Sequence, residues 1–172
     1  MMAMRVAGMI VKISRSQQVL ISVAAAAMIG VAAFAVAKTQ PSTGDSGSAV
    51  EFEDVRRETM EYIEYNRTIV LTVAQERVKE EALSSLPAPC CNDRSAHTCC
   101  CTCNSARAWW GLAKHLIADE GYNAEQVRTK VSEWFDFINP GGFSGDSCYT
   151  GGCGRSFAEN GCGGMSSSRL VF

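Results

Sequence analysis

Nine cysteines dominate the chemistry that this chain could perform. Six of them fall between positions 90 and 103, in the strings Pro-Ala-Pro-Cys-Cys and His-Thr-Cys-Cys-Cys-Thr-Cys. They are Cys90, Cys91, Cys99, Cys100, Cys101 and Cys103. The second string runs into the start of an expected helix. A helix N-terminus carries about half a positive charge and favours thiolate over thiol. Thiolate is the form that binds metal or attacks a disulfide. Cys101 and Cys103 form a C-x-C pair, and Cys100 and Cys103 a C-x-x-C pair. Either spacing can set two sulfurs on one soft ion at about 2.3 Å each. His97 is near enough in sequence to add a nitrogen ligand, although a lone histidine in a polar loop is as often simply exposed.

A second group follows on glycine-rich loops: Cys148, Cys153 and Cys162, with Met165 as a possible thioether. Thiolate with thioether favours Cu(I) over hard ions. Three readings of the cysteines stay open here. The first is a soft-metal site, holding copper or zinc. The second is a disulfide framework, as small exported domains use. An odd count then leaves one thiol free or paired between chains, and three consecutive cysteines need partners from the glycine loops. The third is a redox dithiol at Cys100 and Cys103. A thioredoxin-type site would need a preceding strand pattern, which is missing. Cys103 is followed by Asn104, so the C-x-x-C-H haem attachment motif is absent. No Ser-His-Asp pattern, phosphate loop or carboxylate pair stands out. Glu120, Asp136 and Asp146 read as solvated surface, and His115 as surface or core edge. An enzyme is therefore not the leading expectation.

The elements that must position these residues are mainly α-helical. The segment 50–86 reads as one long amphipathic helix without Gly or Pro. Val55, Ile63, Val70, Val73, Ala74, Val78 and Leu83 fall near one stripe. It would serve as a stalk, a self-association seam or a strut, and Pro87 and Pro89 stop it. A second helix starts near Asn104 or Ser105. Trp109, Leu112, Ala113, Leu116 and Ile117 repeat at helical spacing, and Gly121 is placed to end it. A third starts at Asn123, which with Gln126 forms a capping-box pattern. Its apolar face is Val127, Val131, Trp134, Phe135 and Ile138. The two make a helical hairpin, with their aromatic residues in the core. The Cys-rich domain spans 87–165. Its glycine-rich part has little apolar surface and needs staples. Residues 166–172 read as a loose tail.

The front of the chain is different. No Asp or Glu precedes Asp45, while Arg5, Lys12, Arg15 and Lys38 do. Without those four of the 16 basic residues, 12 remain against 18 acidic ones, about −6. The net charge of −2 argues against nucleic-acid binding. The uncharged run 19–37 is just long enough to cross a hydrocarbon core of roughly 30 Å. It reads as a single-pass anchor after a cytoplasmic basic stretch at 1–18. A cleaved signal ending at Ala35-Val36-Ala37 is the alternative. Positive-inside orientation places the rest outside the cytoplasm of a bacterium-like cell, beyond a linker at 38–49. The membrane is then the first partner. A membrane protein, or a second copy through the long helix, is the next.

The order of features resembles the bacterial envelope proteins named for a PCYCGC motif. The matching stretch is Pro89-Cys90-Cys91, His97, Cys101-Thr102-Cys103 and the hairpin to about Phe137. It covers under a third of the chain. The unbroken PCYCGC string, a lipobox and counterparts of the later cysteine loops are missing. The resemblance implies an envelope Cys-rich protein that binds metal.

Overall fold

The computed structural model describes residues 50–172. The expected membrane segment at 19–37, with its basic flank and the linker at 38–49, lies outside the described residues. No helix among the described residues is long and apolar enough to cross a membrane.

Helix α1 spans Val55–Thr68. Its free N-terminal amides are satisfied locally. The Asp54 carboxylate accepts from the Arg57 N–H at 2.9 Å, and Glu58 Oε1 accepts from the Glu53 N–H at 2.9 Å. Helix α2 spans Val73–Ser84 and opens with a capping box between Thr72 and Gln75. The single helix expected over 50–86 is therefore two helices. The break falls in Thr68-Ile69-Val70-Leu71-Thr72-Val73, where five of six residues are β-branched and crowd the preceding turn. Lys114, from another helix, closes it: its ammonium donates to the carbonyls of Asn66 at 2.6 Å and Ile69 at 3.0 Å. The break also interrupts the expected apolar stripe. Val70 is 90% exposed and Val73 75%.

Prolines 87 and 89 then shape a small antiparallel hairpin, β1 at Pro87–Ala88 and β2 at Cys91–Ser95. It is tied back to α2 by the Ala96 and His97 amides, which donate to Leu86 O at 2.8 Å and Leu83 O at 3.2 Å.

Helix α3 is Asn104–Ala118 and α4 is Ala124–Ile138. Asn123 and Gln126 make the capping box that their spacing implies. Helix α3 ends three residues before Gly121, which takes a φ of +70° in the following turn. Trp109, Trp134, Leu83, Leu112, Leu116, Val127 and Val131 are fully buried and form the core. The hairpin partner α4 is not the main neighbour of α3; α1 is. Gly111 permits that contact. A Cβ there would stand 1.7 Å from the Tyr62 carbonyl oxygen, so the two backbones touch where no larger residue fits.

The last residues are not a loose tail. Ser166 bridges Arg169, the Val171 amide donates to Gly163 O at 3.0 Å, and Phe172 stands edge-on to Phe157.

Candidate metal centre

Four pieces of chain carry the cysteines to one place. Cys90 occupies the turn of the β hairpin and Cys91 begins β2. Cys99, Cys100 and Cys101 follow in the link to α3. Cys103 is the N-cap of α3, and its sulfur accepts from the Ala106 N–H at 3.5 Å. Cys148 and Cys162 arrive from the glycine-rich segment.

Backbone hydrogen bonds dock that segment. The Asn92 amide donates to Gly145 O at 2.8 Å, and the Cys148 amide to Cys90 O at 3.1 Å. Gly145 has a φ of +74°, and a Cβ there would stand 1.7 Å from Asn92 Oδ1. Only glycine allows this approach. At the start of α3, the free amides of Asn104 and Ser105 donate to Gly164 O at 2.9 Å and Cys162 O at 3.0 Å. The buried Asn104 side chain adds two more bonds, to the carbonyls of Gly163 and Ser166, both at 2.9 Å. The loop carbonyls thus satisfy a helix N-terminus and bring Cys162 to Cys103 in the same step.

The sulfurs form three trios, each with all members within 4.8 Å: Cys90, Cys148 and Cys162; Cys91, Cys100 and Cys148; Cys99, Cys100 and Cys101. Cys103 belongs to none of these trios. The cysteine groups that look separate in sequence are one cluster. Among the described residues no cysteine is in a disulfide. The short contacts are 3.1 Å for Cys91 and Cys100, 3.7 Å for Cys100 and Cys148, 3.9 Å for Cys90 and Cys99, and 4.0 Å for Cys101 and Cys148. A disulfide needs about 2.05 Å. Tetrahedral thiolates about 2.3 Å from one ion lie about 3.8 Å apart, which three of these contacts approximate.

The electrostatics divide the cluster in two. Thiol contacts with Cys103 and Cys162, together with burial, push Cys90 far up. Burial and contact with Cys148 raise Cys91; the Cys103 contact raises Cys101; burial raises Cys148 to about 12. Two go the other way. Cys99 is lowered to about 6 by a hydrogen bond from Cys90, and Cys162 to about 5 by bonds from Cys103 and Cys90. Cys99 and Cys162 are favoured as thiolates, while thiol contacts and burial hold Cys90, Cys91, Cys101 and Cys148 protonated. A cation reverses that balance.

Other candidates fall outside the cluster. His97 joins none of the trios. Cys153 sits half-buried in a short 3-10 turn, Gly152–Gly154, near enough to Cys162 to be felt electrostatically. Met165 is exposed and gives its carbonyl to Arg107. His115 stacks on Tyr65 and pairs with Asp119 at 2.8 Å. The C-x-x-C pair is not set apart as a dithiol. Cys100 reaches across to Cys91 and Cys148, while Cys103 joins none of the trios.

Comparison of the chain with family models, with curated proteins and with solved structures finds no match to any of them.

Proposed function

We propose that this protein is a membrane-tethered, extracytoplasmic thiolate protein that binds a soft metal ion, Cu(I) or Zn(II), for storage, delivery or sensing. One observation carries the reading: thiols from positions 90 to 162 converge into trios at metal-ligand spacing. Tethering rests on the apolar run 19–37 and its basic flank, and export on the positive-inside tendency. The resemblance to PCYCGC-motif envelope proteins agrees with both. The donor set is sulfur, which selects soft or borderline ions over Mg²⁺ and Ca²⁺.

The test is a titration of the reduced full-length chain with Zn(II) or Cu(I) in weak buffer. Binding replaces S–H protons by metal–sulfur bonds, so it releases protons. Cys90, Cys91, Cys101 and Cys148 are held protonated at neutral pH and each sheds a proton as it binds. Cys99 and Cys162, lowered to about 6 and 5, supply ligands already charged. Affinity therefore falls as pH falls, and steeply once pH passes below 6, where these two also protonate. The expected result is a thiolate-to-metal absorption band that grows with added ion, several protons released at pH 7, and loss of the ion by pH 4. No band and no proton release would sink the reading.

A second reading has its own observation. Cys91 and Cys100, at 3.1 Å, are the pair best placed to close a disulfide under oxidation. In that reading the cap is a stapled interaction module.

A further inference from the structure

The three thiol trios are not independent. Cys148 belongs to the first and the second, and Cys100 to the second and the third. A thiolate sulfur has lone pairs enough to bond two ions at once. From this sharing we infer that the protein holds a polynuclear thiolate cluster rather than one isolated ion, an inference that rests on the metal-binding reading above. Cys148 bridges one ion, held by Cys90 and Cys162, to a second, held by Cys91 and Cys100. Cys100 continues the chain toward Cys99 and Cys101.

Three observations support sharing over a single site. The first is geometric. A single four-coordinate ion would use four sulfurs, yet seven cysteines fall in trios that share members.

The second concerns how the bridge is built. Cys148 is held by its own backbone: its amide donates to Cys90 O, the residue whose thiol lies in the first trio. The next residue, Cys91, contributes to the second trio. Adjacent residues Cys90 and Cys91 thus face two different trios, and Cys148 lies between them, within 4.8 Å of the other sulfurs in each.

The third is charge. Seven thiolates around one divalent ion would leave a large negative excess in a half-buried site. Two or three cations, with shared sulfurs, bring the charge per ligand down. No oxidant or reductant is required: metal–sulfur bonds form, S–H bonds break, and the protons go to solvent.

Cd(II) is a suitable probe, because it takes tetrahedral thiolate coordination and its ¹¹³Cd nucleus reports shared ligands. The experiment is native mass spectrometry and ¹¹³Cd NMR of the reduced, full-length chain loaded with Cd(II). The expected result is two or three Cd(II) per chain, with scalar coupling between distinct ¹¹³Cd resonances. Cys148→Ser should lower the count by at least one and remove a coupling, while Cys153→Ser should leave both unchanged. Circular dichroism of the variants checks that they fold, and the coupling in the unaltered chain stands whether or not they do. One Cd(II) per chain, or several with no coupling, would overturn the shared cluster while leaving a metal protein. No Cd(II) at all would remove both readings.

Discussion

Trp109→Ala is expected to destabilise the protein by about 3–5 kcal/mol, the range for emptying a buried aromatic site. The indole is fully buried and packs edge-on against Phe135 at 5.3 Å between centroids. Its N–H donates to the Ala96 carbonyl at 3.0 Å, and the Trp110 N–H donates to the same oxygen at 2.8 Å. Ala96 lies between β2 and Cys99, so α3 holds the cysteine strand by this one carbonyl. The substitution should therefore loosen the metal centre as well as the core. Trp109→Phe keeps much of the ring volume, and the Ala96 oxygen keeps Trp110, so its cost should be much smaller. Urea unfolding followed by circular dichroism measures both. A loss under about 1 kcal/mol for Trp109→Ala would show that the hairpin is held by something else.

Metal removal should have the larger effect, but on one part of the molecule. Structural Zn(II) in small thiolate domains contributes an apparent binding energy of about 10–16 kcal/mol to folding. The four helices among the described residues own a core of Trp109, Trp134, Leu83, Leu112 and Leu116 and should survive chelation. The segment from Gly141 to Met165 buries little apolar surface beyond Phe157 and Cys162. Without ions its shape depends on backbone bonds such as Asn92 to Gly145 and Ser105 to Cys162. Hydrogen exchange after chelation should show residues 90–103 and 141–165 losing protection while α3 and α4 keep theirs. Equal protection with and without metal would mean that the loop is held by its hydrogen bonds alone.

How much of this was legible in sequence differs by element. Helices α3 and α4 were, because Trp109-Leu112-Leu116 and Val127-Val131-Trp134 repeat at helical spacing and Asn123 with Gln126 announces a start. The division of 50–86 was missed because it involves neither Gly nor Pro. Its signals were present all the same: the β-branched run from Thr68 to Val73 and the Thr72–Gln75 capping box. The Lys114 bonds to Asn66 and Ile69 were not visible, since they are made 48 and 45 residues away. The β hairpin was also missed; it is short, and its turn at Pro89-Cys90 lacks the usual Asn-Gly signal. For the site, the cysteine types and the Cys103 position at a helix start were readable. Their grouping was not. Cys148 and Cys162 meet Cys90 through backbone bonds to Cys90 O and from Ser105, and local spacing carries no trace of such contacts. The folded ending at Phe172 was hidden for the same reason.

The most direct measurement of the central claim is metal content with thiol counting on the full-length protein, isolated from an exporting host without added metal. The account predicts one or more equivalents of copper or zinc per chain, with thiols that resist alkylation until a chelator is added. It also predicts a lower metal content in a Cys100→Ser, Cys103→Ser double variant. No metal, with eight of the nine cysteines oxidised, would contradict it and leave a disulfide-stapled module.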